Sequence, residues 1–121
     1  MKTDLELLQG QWKIFSLELD GSSIPEAHLA GASISIQGDK FISFGMGSEY
    51  RGTIELDSAS VPKVLNMKFT AGPEKGNVNL GIYELDGDSW RLCLATRGST
   101  RPHQFAAPPG TGIALEVLKR C

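Results

Sequence analysis

The spacing of hydrophobic positions changes early in this chain, from a helical period to a β-type alternation. Leu5 and Leu8 share one face of a short segment, Thr3–Gly10, which begins with residues able to cap a helix and ends with glycine. Glycine permits the left-handed backbone that commonly ends a helix. The pattern predicts a short N-terminal helix, which would form a plug at one end of a barrel.

The first predicted strand, Gln11–Leu19, contains a change of parity. Trp12 and Ile14 fall on one parity, whereas Phe15, Leu17 and Leu19 fall on the other. This change predicts a β-bulge near Ile14, which is the usual device for bending a long strand around a barrel.

The rest of the chain favours strands. A second brief helix is predicted over Ser23–Leu29, with Pro25 at its first position and Ser23 as its cap. Beyond it, short alternating segments are separated by turn residues. The predicted strands are Ser33–Gln37, Lys40–Phe44, Tyr50–Leu56, Val64–Thr70, Val78–Leu85, Trp90–Ala95 and Ile113–Leu118.

These elements predict an all-β fold: an eight-stranded, antiparallel, up-and-down barrel of the lipocalin-like kind, with one short N-terminal helix and one short helix after the first strand. A parallel sheet would need crossover helices, which the sequence does not supply. Closure also removes exposed strand edges. We expect residues 1–121 to form this barrel as a single domain.

One hairpin fixes which side chains face the interior. The turn between Leu85 and Trp90 keeps both residues on the same face, whether two or four residues form the loop. The face is bulky and apolar, so it is predicted to point inward, and Cys93 is predicted to point outward. Its members are Tyr83, Leu85, Trp90, Leu92 and Leu94.

Composition and charge narrow the classes of partner. The chain has 40% hydrophobic and 21% charged residues and a formal net charge of -2, as in an ordinary globular protein. A chain so close to neutrality does not favour nucleic acid, which needs a concentrated basic patch. No apolar run approaches the roughly 20 residues that cross a bilayer. Acidic residues stand where a signal peptide would be apolar, so we expect a cytoplasmic protein or an exported one with its signal trimmed.

The residues that bind metals or carry out redox chemistry are few. Cys93 and Cys121 lie far apart without a CxxC pairing, and we interpret them as two independent thiols. His28 and His103 have no second strong ligand at a spacing that would share their face. The sequence therefore predicts neither a metal site nor a cofactor.

Several short motifs resemble a known family. Gly10-Gln11-Trp12, at the entry to the first strand, resembles the Gly-x-Trp signature of lipocalins. Further motifs extend the similarity over nearly the whole chain, which resembles a bacterial lipocalin-like (calycin-type) family that is abundant in planctomycetes. The further motifs are Leu8-Gln9, Gly38-Asp39-Lys40, Gly72-Pro73-Glu74-Lys75-Gly76, Gly81 to Asp88, Arg101-Pro102, Phe105 and Val117-Leu118-Lys119-Arg120.

The resemblance implies an eight-stranded barrel with Trp12 at its closed bottom, packed near a cation supplied by Arg101 or Arg91. The family has no settled activity or ligand, so it implies no catalytic residues.

Two groups of residues are candidates for ligand contact. Arg97, Arg101 and His103 lie in the long connection before the last strand, where they would line the barrel mouth and bind a carboxylate or phosphate. The alternative is a solvated basic loop with Arg101 packed on the barrel. The second group would either line a cavity for an apolar ligand or simply fill the barrel: Phe44, Met46, Tyr50, Met67, Phe69, Tyr83 and Trp90.

We therefore predict a protein that binds a small, partly apolar and possibly acidic molecule. The predicted contacts are Tyr50, Met67, Tyr83, Arg97, Arg101 and His103. One alternative is a small hydrolase or isomerase with His103 as general base and an arginine holding an oxyanion. Another is a protein-interaction module with a filled core. The oligomeric state stays open.

Overall fold

The computed structural model describes residues 3–45, 47–97 and 100–121. Within these ranges the chain forms two short helices and nine strands. They are α1 (Asp4–Leu7), β1 (Gly10–Leu19), β2 (Ser22–Ser23), α2 (Glu26–Leu29), β3 (Ser33–Gln37), β4 (Lys40–Gly45), β5 (Ser48–Asp57), β6 (Lys63–Ala71), β7 (Val78–Asp86), β8 (Ser89–Ala95) and β9 (Ile113–Arg120).

Eight of the strands close into an antiparallel barrel. The sheet order is β1-β3-β4-β5-β6-β7-β8-β9, and β9 pairs back onto β1. The two-residue strand β2 pairs only with the end of β1. The predicted up-and-down barrel with two short helices is therefore confirmed, and β2 is one small strand that the sequence did not predict.

The second helix differs in detail from its prediction. Pro25 is the N-cap residue rather than the first helical residue, and no side chain caps the helix. The single turn Glu26–Leu29 is held instead by the burial of Leu29, which is 5% exposed. None of the helices in the described ranges is long or apolar enough to span a bilayer.

The predicted bulge in β1 is present. Ile14 pairs with Leu118 and Ser16 pairs with Val117, so Phe15 is an extra residue without a partner on β9. Phe15 points outward and is 59% exposed. The extra residue restores the inward direction of Leu17, which contributes to the interior as Trp12 and Ile14 do.

A second bulge lies between β5 and β6. Gly52 pairs with Phe69 and Arg51 pairs with Ala71, which leaves Thr70 as the extra residue. Its hydroxyl lies at 3.4 Å from the Arg51 carbonyl oxygen.

The β7–β8 hairpin has the predicted inward face. Leu85 pairs with Trp90 across a two-residue turn. Tyr83, Trp90 and Leu92 are completely buried in the main core. Cys93 points outward as predicted, yet it is also buried, because the connection between β8 and β9 covers it.

One half of the barrel is filled by large side chains, and we call it the closed half. Trp12 and Trp90 meet edge to face, with ring centroids 5.5 Å apart. Phe41, Tyr83 and Leu118 are buried around them. Aromatic pairs of this geometry contribute about 0.5–1.5 kcal/mol beyond the area they bury. The prediction of Trp12 as the barrel-bottom residue agrees with this position.

Helix α1 covers the closed half. Thr3 caps it through a reciprocal capping box with Glu6. The Trp12 indole N–H donates to the Leu8 carbonyl at 2.9 Å, and Leu8 is itself fully buried. Gly10 then takes a φ of 113°, which allows the chain to leave the helix and enter β1.

The cation beside Trp12 is Arg120, not Arg101 or Arg91. The Arg120 guanidinium lies 4.2 Å from the centroid of the Trp12 ring. It also donates to the carbonyl oxygens of Leu7, at 2.6 Å, and Gln9, at 3.0 Å. The last strand brings Arg120 there because Arg120 pairs with Trp12 across the β1–β9 seam, a pairing that only barrel closure creates.

A second set of contacts, between Asp4, Lys63 and Tyr83, joins α1 to strands β6 and β7 on the opposite wall of the barrel, and we call it the latch. One Asp4 carboxylate oxygen accepts from the Tyr83 hydroxyl at 2.7 Å and from the Lys63 ammonium at 2.9 Å. Burial alone would raise the pKa of Asp4, but these hydrogen bonds and the charge of Lys63 together lower it. Burial and the Asp4 carboxylate raise the pKa of Tyr83 well above its usual value. Tyr83 is therefore a neutral donor.

Candidate ligand-binding lumen

The other half of the barrel, which we call the open half, contains a cavity of about 180 Å³. It is lined by the ends of the strands farthest from α1, by the start of β3 and by α2. The lining residues are Ile14, Leu17, Leu19, Leu29, Ala32, Ile34, Ser43, Phe44, Gly45, Tyr50, Met67, Phe69, Glu74, Asn79, Leu94, Thr96, Ala114 and Glu116.

An aromatic wall forms one side of this lumen. Tyr50 on β5 and Phe69 on β6 meet edge to face, with centroids 6.2 Å apart. Phe69 also packs edge to face on Phe41, at 5.3 Å, which connects the wall to the filled core beneath. At the mouth, Phe44 is 45% exposed. The wall is therefore packed on the core at its base and open to solvent at its rim.

Glu116 places a carboxyl group inside the lumen. It lies on β9 between Ala114 and Leu118, which share its inward face and are both buried. Its neighbours across the ladders are Leu17 on β1 and Leu92 on β8. No described residue donates a hydrogen bond to the carboxyl group. Burial among apolar side chains raises the pKa of Glu116 to about 7.

Asn79 adds a second polar group to the same interior. It is 6% exposed, lies on β7 and pairs with Met67 on β6. Its amide makes no side-chain hydrogen bond with the described residues, whereas buried amides usually do. Its donors and its acceptor are therefore available to a molecule in the cavity.

The remaining charge at the lumen is also negative. Glu74, in the turn between β6 and β7, borders the mouth and accepts from the Asn77 side-chain amide. The described lining residues include no Lys, Arg or His. An ion that enters the lumen therefore meets carboxylates and neutral groups only.

The ligand contacts predicted from the sequence lie in three different places: the lumen, the closed half and the outer surface of the barrel. Tyr50 and Met67 lie together in the lumen wall. Tyr83 lies in the closed half, where its hydroxyl is held by Asp4. Of the wider aromatic and methionine set, Phe44 and Phe69 border the lumen and Trp90 fills the closed half; Met46 lies outside the described residues.

The basic cluster lies on the outside of the barrel. Arg97, Arg101 and His103 border a depression of about 500 Å³ beneath the β8–β9 connection, which shares no lining residue with the lumen. The depression lies against the outward-facing side chains of Ala95 and Ile113. The interpretation that placed this cluster at the barrel mouth is corrected: the long connection folds over the outer surface of the sheet.

Arg101 braces two strands from this position. Its guanidinium donates to the carbonyl oxygens of Leu65, at 2.8 Å, and Gly81, at 2.7 Å, and to the Asn66 side-chain oxygen at 2.7 Å. Those contacts occupy the groups that would otherwise fork onto a carboxylate. His103 is exposed. Arg97 is exposed and forms an ion pair with Asp20 at 3.5 Å. The cluster thus contains one arginine bonded to the strands, one arginine paired at the surface and one exposed histidine.

The same connection covers Cys93. The thiol lies 3.3 Å from the Gln104 carbonyl oxygen and 3.4 Å from that of Ala106, and burial raises its pKa. A protonated, covered thiol is a poor nucleophile. Cys93 and the exposed Cys121 are both free, and no group of three potential metal ligands occurs among the described residues.

Sequence reasoning missed Glu116 and Asn79. A signal for Glu116 was present: it alternates with Ala114 and Leu118, so an inward Leu118 requires an inward Glu116. Asn79 alternates in the same way with Tyr83, whose inward direction was predicted.

Comparisons of the chain with protein-family models, with curated proteins and with solved structures found no significant match.

Proposed function

We propose that this protein binds a small, partly apolar molecule in the lumen of the open half. The observation that carries the proposal is the 180 Å³ cavity, with an apolar wall and two polar groups that have no partner in the described chain. An engineered apolar cavity of about 150 Å³ is known to bind benzene. The lumen is therefore large enough for one ring with a short substituent, and a longer ligand would project through the mouth.

The energetic cost of the lumen supports a binding role. The apolar side chains around the lumen lack the packing partners that a filled interior would give them, and this loss of contacts lowers stability. In the closed half, the interior between the same strands holds large side chains, since Trp12 and Trp90 are both fully buried there. A hollow beside an uncompensated carboxyl group is useful for binding and unfavourable for stability.

We propose that the chain is a member of the bacterial lipocalin-like family that its motifs resemble, and the closed eight-stranded barrel supports that assignment. Lumen binding is the mode that such a barrel permits when its interior is not filled.

The test is a titration with small aromatic probes, followed by NMR of the backbone amides. Benzyl alcohol, which is neutral and fits the volume, should produce saturable shifts at residues of the lumen wall. Ala114→Leu adds an isopropyl group to the wall and should weaken binding several-fold, because Ala114 is 94% buried at the lumen.

The matched control is Ala59→Leu, which adds the same atoms at an exposed position in the β5–β6 turn. It should bind as the unmodified protein does. Equal binding by the Ala114→Leu variant, or the absence of saturable shifts with benzyl alcohol, benzylamine and benzoate alike, would overturn the proposal.

A further inference from the structure

We propose that the ligand of the lumen is a small organic cation: an amine, protonated in water, carried on an apolar body about the size of one ring. This inference rests on the proposed function, because it names the chemistry of the molecule that the lumen takes. It departs from the acidic ligand that the arginine cluster favoured, since that cluster lies outside the barrel.

The first argument is charge. The lumen holds the Glu116 carboxyl in its wall and the Glu74 carboxyl at its mouth, and no cationic side chain among its described lining residues. A partly buried carboxylate without a donor from the described chain is costly, and an anion placed beside it would add repulsion. A cation removes both problems by supplying the missing partner.

The second argument is the arrangement of groups around the barrel. In the cyclic order of eight strands, β9 and β5 are separated by three strands on either side, so they face each other across the lumen. Glu116 on β9 therefore stands opposite Tyr50, whose ring packs on Phe69 of the neighbouring strand. An amine on an apolar body can pair with the carboxylate at one end and lie against aromatic faces at the other.

The third argument is hydrogen-bonding capacity. A primary ammonium carries three N–H donors. The carboxylate of Glu116 accepts from one, and the side-chain oxygen of Asn79, which has no described donor, accepts from another. Asn79 lies on β7, two strands from β9 in the sheet order. Both acceptors project into the same cavity.

Binding of a cation should displace a proton. The free carboxyl of Glu116 has a pKa of about 7 because it is buried, and an ammonium beside it favours the ionised form. The other titratable groups in the lining are Glu74 on the β6–β7 turn and Tyr50 on β5. Strands β1 and β8, which flank β9, contribute Leu17 and Leu92 opposite Glu116 and no charged group on that face.

The experiment compares three probes of nearly equal size by calorimetry at pH 8: benzylamine as the cation, benzyl alcohol as the neutral molecule and benzoate as the anion. Benzylamine should bind about tenfold to a hundredfold more tightly than benzyl alcohol, as expected for a charge-assisted hydrogen bond. Benzoate should bind most weakly.

Glu116→Gln keeps the shape of the side chain and removes its charge. It should abolish the preference for benzylamine while binding of benzyl alcohol persists. Glu18→Gln, a change of the same charge at an exposed position of β1, should leave all three affinities unchanged.

A second measurement reports on the proton itself. Titrations at pH 6 in two buffers of different ionisation enthalpy should show that most of a proton leaves for each benzylamine bound, because a group of pKa about 7 is mostly protonated there. The Glu116→Gln variant should release none, and benzyl alcohol should release none from either protein.

The outcomes separate this inference from the proposed function. If benzyl alcohol binds in a manner sensitive to Ala114→Leu but benzylamine shows no preference and no proton release, lumen binding stands and the cation is rejected. If benzoate binds best, the cation is likewise rejected. If none of the three probes binds, both proposals fall.

Discussion

The two halves of this barrel share eight strands but differ in their interiors: one is filled with side chains and the other contains a cavity. In the closed half, tryptophan and tyrosine side chains fill the space and Leu118 completes the packing. In the open half, the same strands end in smaller or polar inward residues, among them Ala114, Glu116 and Asn79, around a cavity. One strand, β9, passes from the cavity to the core within five residues.

The halves also differ in whether their charged side chains have hydrogen-bond partners. In the closed half, Asp4 has two donors, and Arg120 has acceptors on α1 and in the neighbouring turn. The Trp90 indole N–H is an exception there, since it has no partner among the described residues. In the open half, Glu116 has no donor within the described chain. The comparison locates stability at one end and available binding chemistry at the other.

The largest expected effect comes from breaking the closed half. Trp12→Ala removes a fully buried indole, its hydrogen bond to Leu8 and the surface on which Arg120 packs. We expect the free energy of unfolding to fall by about 3–5 kcal/mol, measured by urea denaturation. A loss below about 1 kcal/mol would contradict the assignment of stability to this end.

The next effect has the opposite sign and concerns the open half. Glu116 has a pKa of about 7 in the folded protein and an ordinary value of 4.5. The folded state thus binds more protons between these values, so stability of the unmodified protein should fall as pH rises from about 4.5 to 7 and then level off. Glu116→Gln should remove this slope and raise stability at pH 8 by about 2–3 kcal/mol.

Thermal or urea unfolding at pH 4.5 and pH 8 checks the Glu116 prediction. The two proteins should have similar stability at the lower pH. A variant that is less stable than the unmodified protein at pH 8 would mean that Glu116 is stabilised by a partner, and the contrast between the halves would be lost.

A smaller effect is expected at the latch between α1 and the barrel wall. Asp4→Asn keeps the shape and removes the charge that pairs with Lys63 and accepts from Tyr83. We expect a loss of about 1–2 kcal/mol at neutral pH, in the range for hydrogen bonds to charged groups. Because the pKa of Asp4 is lowered in the folded state, its contribution is present above the ordinary pKa and is lost as pH falls through the folded value.

The matched control for the latch is Asp39→Asn, at an exposed turn position without an ion pair in the described chain. It should leave urea unfolding unchanged at pH 7. Equal losses for both variants would assign the effect to net charge rather than to the latch.

The smallest effect is expected at the mouth. Phe44→Ala removes a ring that is 45% exposed, so the free energy of unfolding should change by less than about 1 kcal/mol. Comparing the free energies of unfolding of Phe44→Ala and Trp12→Ala in the same urea experiment measures the difference between the two ends directly. A cost equal to that of Trp12→Ala would remove the distinction.

The barrel was predictable because its signals are local or depend only on parity. The shift between Ile14 and Leu17 predicted the β1 bulge, and the hairpin between Leu85 and Trp90 predicted the inward face of β7 and β8. Arg120, in contrast, meets Trp12 only because β9 closes onto β1. Closure brings together residues from opposite ends of the chain, and no local pattern indicates which cation will arrive there.

The candidate site was predictable only in its apolar part. Tyr50 and Met67 were predicted as contacts because aromatic and methionine side chains are typical of cavity walls, and they do line the lumen. Glu116 was overlooked because an acidic residue in a strand usually faces water. The basic cluster was misplaced because the path of the β8–β9 connection depends on contacts such as that of Arg101 with Leu65 and Gly81, which sequence spacing does not reveal.

Each of the two bulges adds one residue that the ladder does not need, and both bulges belong to strands that line the lumen. Phe15 and Thr70 have no partner in the ladder, so deleting either one straightens its strand and leaves every neighbouring side chain on its present face. Deleting Lys13 instead would put Trp12 and Ile14 on opposite faces. A one-residue deletion at either bulge would thus fall in a strand of the lumen wall and would keep the inward direction of the core side chains.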